Sequence, residues 1–263
     1  MKKTIILLLA LSLLGACKTK HWTVSHVKAS VIQIDSTKDA AANKELLAFY
    51  KPYADSLGNQ TSVVIGQAAK TLTMDRTVHE NPLANFISDA LRARADEILT
   101  QGTPTLSGGF EGRVDFALVN FGGIRASLRQ GDITVGNIYE ILPFENSMVI
   151  LGLKGSDLRD LVNVFAANGG QGVSGMTLGI ENKKPVNVLV NGEPIDDNRE
   201  YIIATVDYLA LGGDNMTPLL NARQILSSGI QIRDLVIDSI KRAAERGESI
   251  DANLDGRVYL VNH

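Results

Sequence analysis

Three turn-like stretches of this chain gather side chains able to grip a small polar ligand. In Asn120-Phe121-Gly122-Gly123-Ile124-Arg125, the paired glycines let the backbone bend sharply or approach a ligand closely. Arg125 there offers a fork of donors suited to phosphate or ribose oxygens, and Asn120 both donates and accepts. Pro143-Phe144-Glu145-Asn146 sets an aromatic ring two residues from an amide. Tyr208-Leu209-Ala210-Leu211-Gly212-Gly213-Asp214 supplies a second ring, a second glycine pair and a carboxylate. Taken singly, each has an ordinary explanation: glycine pairs make turns, a phenylalanine after proline packs in a core, and a lone arginine is solvated. Together they form a consistent set. Two rings can sandwich a planar base, a carboxylate can accept from two vicinal hydroxyls, and an arginine answers a phosphate. That inventory is what a nucleotide requires.

The residues of hydrolytic chemistry are harder to find. The chain has four histidines, of which His21 and His26 lie in a basic N-terminal stretch and His263 ends the sequence. None, His79 included, stands in an Asp-x-His or Gly-Asn-His context, so the expectation is no metal and no cofactor held by this chain. Ser174 has no histidine placed to act as its base, and Asp196-Asp197 beside a turn reads as solvated, so no catalytic residue is assigned. A net charge of −3 with 44% hydrophobic residues describes an ordinary globular protein and gives no basic face for a nucleic-acid polymer. Cys17 is the one cysteine, which excludes an internal disulfide and a thiolate cluster.

The elements that must present these turns follow from hydrophobic spacing. Asn85 to Thr100 reads as the clearest helix, with Phe86, Ile87, Ala90, Leu91, Ala93 and Ile98 inward. Gly155 to Ala167 and Ile232 to Arg246 read as further helices, as does Asp39 to Leu57, and a short helix starts near Val135. Strands are expected at Val31–Ile34, Val63–Ile65, Thr71–Thr73, Asp115–Val119, Asp132–Thr134, Met148–Leu153, Pro185–Val190 and Tyr201–Val206. Asn168 to Gly172 is a loop, and Asn191-Gly192 a hairpin turn. Strands and helices mix without strict alternation, which implies an α+β (mixed α/β) fold in a single domain over 31–263.

At the N-terminus, Lys2 and Lys3 precede an apolar run, Ile5 to Leu14, too short to span a bilayer. Leu14-Gly15-Ala16-Cys17 follows and resembles a bacterial lipobox, which implies a signal peptide over 1–16, lipidation at Cys17, and a tether over 17–30. The expected location is the bacterial envelope, lipid-anchored on a periplasmic or extracellular face.

Five segments carry a wider resemblance. Glu80-Asn81-Pro82-Leu83-Ala84-Asn85-Phe86-Ile87-Ser88-Asp89-Ala90 is similar to the E-x-x-L-G-N-L-I-x-D-A signature of the C-terminal domain of the 5′-nucleotidase family. Asn120 to Arg125 resembles its N-G-G-G-I-R, Ile141 to Asn146 its V-L-P-F-x-N, Val173-Ser174-Gly175 its V-S-G, and Tyr208 to Asp214 its F/Y-L-A-x-G-G-D. Ala84, Phe121 and Leu211 depart from the pattern, departures expected to alter loop shape or affinity while leaving the pocket in place. The resemblance implies that Phe144 and Tyr208 stack on opposite faces of the base. It places Asn120 on base or ribose, Asn146 at the base, Asp214 on the ribose hydroxyls, and Arg125 on ribose or phosphate. Arg76 lies one residue from where the family has another ligand-binding arginine, and is assigned with them. Gly122, Gly123, Gly212 and Gly213 shape the loops. In the family a separate metallophosphatase domain holds two divalent metals. The expectation is therefore a nucleotide-binding, substrate-specificity half of a nucleotide phosphohydrolase, working with a separate metallophosphatase chain that alone carries the metals. The alternative is a nonenzymatic envelope lipoprotein that binds nucleotides or nucleosides.

Overall fold

The computed structural model describes residues 23–33, 43–101 and 112–261. The expected signal peptide and Cys17 lie outside these residues. The chain divides into two compact units, 1–51 and 52–263. In the first, residues 23–33 are exposed and form no strand, so the strand expected from Val31 is not found in its described part. Helix α1 runs Lys44–Thr61, with the Asn43 side chain accepting from the Glu45 and Leu46 amides at its start. Its apolar residues recur at helical spacing, yet no residue of α1 is buried.

The second unit is built on a five-stranded mixed sheet. Its strands are β2 (Phe116–Val119), β4 (Ser147–Lys154), β5 (Gly172–Ser174), β9 (Glu200–Val206) and β10 (Arg223–Gln231), in the order β10-β4-β9-β2-β5. Only the β2–β9 pair is parallel. Met148 to Leu153 and Tyr201 to Val206 are continuously buried, as strands covered on both faces must be. A four-stranded sheet stands beside it, comprising β6 (Met176–Glu181), β7 (Lys184–Val190), β8 (Glu193–Pro194) and β11 (Val258–Leu260) in the order β11-β6-β7-β8. The antiparallel pair β1 (Val64–Ala68) and β3 (Gly131–Thr134) makes a third, small sheet.

Helix α2 (Pro82–Gln101) opens on a proline, whose missing amide costs nothing at a helix start. It packs Leu83, Ile87, Leu91 and Ile98 against β2, β5 and α6 (Ile232–Glu245). Helix α3 (Val135–Ile141) begins at a reciprocal capping box between Thr134 and Asn137, the local signal behind its start. Helix α4 (Gly155–Ala167) buries Leu158, Leu161, Val162 and Phe165, one turn and two turns apart, which makes a single stripe facing the sheets.

The mixed α/β class holds, and the principal helices fall within a few residues of their expected bounds. Thr71–Thr73 is not a strand: only Leu72 bridges, to Leu128. Strands β5, β6, β10 and β11 were not anticipated. β10 reads as R-Q-I-L-S-S-G-I-Q, and its pairing with β4 slips register twice, so no clean alternation marks it.

Candidate functional site

Buried β2 delivers Asn120 at its end, and the chain then turns through a single 3-10 turn at Phe121–Gly123. Asn120 is buried, and its side-chain amide donates to Asp214 Oδ2 at 2.5 Å. Gly123 is forced to be small: a Cβ there would lie 2.9 Å from Asn120 Oδ1. Phe121 turns into the core, and its amide donates to the buried Gln171 Oε1 at 3.1 Å. Arg125 donates from its backbone to Ile141 O and from Nη1 to Gly122 O at 3.2 Å.

The segment joining α3 to β4 carries Phe144, 47% exposed, with the Arg125 guanidinium 5.9 Å from its ring centroid. The Asn146 side-chain amide has no hydrogen bond to protein among the described residues, while its backbone oxygen accepts from Ile232 N at 2.9 Å.

β9 ends at Val206 and passes into the one-turn helix α5 (Asp207–Ala210), which presents Tyr208, 43% exposed. Gly212 takes φ +84°, and Asp214 itself sits left-handed at φ 51°, ψ 34°, a conformation aspartate tolerates better than most residues. Gly213 lies against the Tyr208 ring, where a Cβ would be 2.5 Å from two ring carbons. The Tyr208 hydroxyl donates to Asp214 Oδ1 at 2.8 Å. That bond, and then the carboxylate's charge, pushes the phenol up from its usual value, so Tyr208 stays a neutral donor.

Arg76 joins from before α2. Asp75 accepts from the Thr77 amide and hydroxyl in a tight turn, and that hydroxyl bond above all holds its carboxyl below the usual range. The buried Asn81 side chain grips Asp75 twice, accepting from its N–H at 2.6 Å and donating to its C=O at 2.9 Å. Arg76 then reaches Gly122 O at 3.3 Å and Ile124 O at 3.4 Å.

One cavity of about 390 Å³ is lined by Arg76, Asn120, Gly122, Gly123, Arg125, Phe144, Asn146, Tyr208 and Asp214. All seven side chains singled out from sequence meet there, together with the first glycine pair; Gly212 and Gly213 shape the turn beneath Tyr208. A tight apolar hollow, room for about one water, opens between Ile124, Leu142, Val206 and Ile232 and shares Asn120, Phe144 and Asn146 with the cavity. The chemistry on offer is stacking, hydrogen bonding at a carboxylate and amides, and two cations. Among the described residues no group of three or more His, Cys, Asp or Glu side chains gathers in a metal-holding arrangement.

The signature on α2 does other work. Glu80, buried, accepts from the Asp255 and Gly256 amides at 3.0 and 3.2 Å and from Asn85 Nδ2 at 2.8 Å. Asn85 also donates to Asn253 O, and Asp89 pairs with Arg257 at 2.8 Å. Burial works against the Arg257 cation, but Asp255 and Asp89 outweigh it and hold it firmly charged. These residues fasten the segment 253–257 and leave the ligand groups to others. Asn81 and Gln171, which set Arg76 and the Asn120 turn, were missed by sequence reasoning. Gln171 depends on a partner 50 residues away, and Asn81 on a turn six residues back that no hydrophobic spacing marks. Of the departures from the family pattern, Ala84 and Phe121 are core, and Leu211 is 79% exposed and does not line the cavity.

Comparison with known proteins places the fold in a family. Residues 64–221 match the family model described as 5′-nucleotidase, C-terminal domain. UshA of Yersinia enterocolitica is 25% identical over 225 residues, 82% of this chain and 37% of that protein. The endonuclease YhcR of Bacillus subtilis is 30% identical over 194 residues, 69% of this chain and 14% of that one. Among solved structures, a 5′-nucleotidase precursor from Thermus thermophilus superposes with TM-score 0.67 at 28% identity, over 83% of this chain and 42% of that chain. The Haemophilus influenzae NAD nucleotidase shares the fold, with TM-score 0.59 at 20% identity over 96% of this chain and 45% of that one. The chain thus spans less than half the length of these relatives.

Proposed function

We propose, from the fact that this chain belongs to the 5′-nucleotidase C-terminal domain family, that its cavity holds a nucleotide by base and ribose. The observation carrying the reading is the convergence of Phe144 and Tyr208, both nearly half exposed, on one cavity with Asp214, Arg76 and Arg125. The base lies between the rings, with its edge within reach of the unspent Asn146 amide and of Asn120. Asp214 accepts from the ribose hydroxyls, and Arg125 and Arg76 face the phosphate. The chain acts in nucleotide catabolism as the substrate-specificity half of a nucleotide hydrolase. A separate metallophosphatase chain would supply two divalent metals able to activate a water toward the phosphate ester, giving nucleoside and phosphate, while this chain's residues hold base and ribose. The lipobox-like Leu14-Gly15-Ala16-Cys17 supports anchoring of the chain in the bacterial envelope through lipid on Cys17.

Calorimetric titration of a form lacking residues 1–16 with adenosine, AMP and ribose 5-phosphate tests the binding half. Adenosine and AMP should bind, and Phe144→Ala should weaken both by roughly 1–3 kcal/mol. Ribose 5-phosphate binding equal to AMP would overturn the stacking role. Phosphate release from AMP with manganese or zinc tests the division of labour. It should need a metallophosphatase chain, such as one encoded by a neighbouring reading frame, and release by this chain alone would refute the split. Nucleotide binding with no effect on such a phosphatase would make the chain a nonenzymatic binder.

A further inference from the structure

Arg233, the second residue of α6, is only 7% exposed and forms no ion pair among the described residues. A guanidinium so placed carries a desolvation cost that only well-arranged partners offset. Its partners are few and specific. Nη2 donates to Gln231 Oε1 at 2.6 Å, Nη1 reaches Leu142 O at 3.5 Å, and the cation lies 4.1 Å from the centroid of the Tyr139 ring. Nε is buried with no partner. Leu142 is the C-cap of α3, where unpaired carbonyls and the negative end of the helix dipole collect. The cation therefore sits where the end of α3 most favours one.

The same two residues at the start of α6 hold both ends of one short segment. Arg233 reaches Leu142 O, and the neighbouring Ile232 amide donates to Asn146 O at 2.9 Å. Between these anchors lie Pro143, whose ring fixes its own backbone angle, Phe144 and Glu145. Phe144 is nearly half exposed, so its pose depends on where the backbone of this segment is held.

We propose that Arg233 is a positioning residue for the aromatic arm of the cleft: by pinning the end of α3 it sets the pose of Phe144. The geometric part stands by itself, and its consequence for binding rests on the nucleotide reading of the cavity. The test uses Arg233→Met, which keeps the apolar stem and removes the charge, beside Phe144→Ala and the double variant. Hydrogen exchange reads the geometry without ligand. In Arg233→Met the Leu142 and Arg125 amides, bonded to Ile138 O and Ile141 O at the end of α3, and the Ile232 amide, bonded to Asn146 O, exchange faster, while those of the Leu83–Leu91 turns of α2 are unchanged. Adenosine titration reads the consequence. Each single variant weakens binding, Arg233→Met by about fivefold or more, and the double variant binds no more weakly than Phe144→Ala alone. Arg233→Lys, which keeps the charge and loses the fork, shows the same pattern at smaller amplitude and replaces Arg233→Met should that variant not fold. Losses that multiply in the double variant, or wild-type affinity in Arg233→Met beside a weakened Phe144→Ala, overturn the proposal and leave the nucleotide reading intact. Failure of the wild-type chain to bind adenosine overturns the nucleotide reading instead, and the geometric part then stands or falls with the exchange result.

Discussion

Tyr208→Phe separates the two jobs that Tyr208 could have in the cleft. The substitution keeps the ring and deletes one hydroxyl. In the wild-type chain that hydroxyl donates to Asp214 Oδ1 at 2.8 Å, while Asn120 occupies Oδ2 at 2.5 Å. A ribose diol would approach the same two oxygens, so phenol and sugar compete for one acceptor. A hydrogen bond to a charged acceptor is worth roughly 1.5–3 kcal/mol when desolvated. With Tyr208 43% exposed, solvent screening brings the figure to about 1 kcal/mol at most. Giving up that bond on sugar binding therefore lowers adenosine affinity by at most about fivefold. Tyr208→Phe is expected to bind adenosine between equally well and about fivefold more tightly, whereas Tyr208→Ala loses a stacking surface worth roughly 1–3 kcal/mol. The assay is calorimetric titration with adenosine and with 2′,3′-dideoxyadenosine. The Phe variant should favour only the ligand that carries the diol. If Tyr208→Phe weakens adenosine binding as much as Tyr208→Ala, the hydroxyl makes the decisive contact, and both the competition and the stacking role fail.

Three further outcomes follow from the same geometry. Because Asp214 raises the Tyr208 phenol above its usual value near 10, the difference in alkaline absorbance titration between wild type and Tyr208→Phe should show a late-titrating phenol. Asp214→Asn should return it toward that value. The folded pKa being the higher one, the stabilisation is complete below the unfolded value and is lost as pH rises through the folded one; a phenol titrating normally in the wild type would refute the Tyr208–Asp214 bond. Asn81→Ala frees the turn that aims Arg76 and should weaken AMP several-fold more than adenosine, an effect that equal losses for both ligands would contradict. Glu80→Ala leaves the Asn85, Asp255 and Gly256 donors without their carboxylate and should cost roughly 1–3 kcal/mol in thermal or urea unfolding; an unchanged midpoint would count against the clasp.

The ligand-facing residues were legible in the sequence because each cluster is local. A buried strand or short helix ends, a turn begins, and the useful side chains lie within seven consecutive positions, as in Tyr208 to Asp214. Helices α2, α4 and α6 announced themselves by stripes of Leu, Ile, Val and Phe at helical spacing. What escaped was whatever depends on a side-chain contact that hydrophobic spacing does not mark. Asn81 reads only as a member of the Glu80–Ala90 signature until Asp75, six residues back, is seen folded against it, and Gln171 looks like a loop residue until the Phe121 amide is found bonded to it. Arg233 sits at the start of an amphipathic helix, where a charged residue ordinarily faces water. β10 and β11 owe their existence to β4 and β6 rather than to any pattern of their own.

The fastening of segment 253–257 by Glu80, Asn85 and Asp89 has a kinetic side. Two of the three donors to the Glu80 carboxylate, the Asp255 and Gly256 amides, lie about 175 residues further along, so an elongating chain that has made α2 answers the acid through Asn85 alone. Closure must wait for residues 253–260 to emerge, with β11 adding in parallel beside β6. Until then α2 lacks that fastening, and removal of residues 253–257 would return a finished molecule to the same condition.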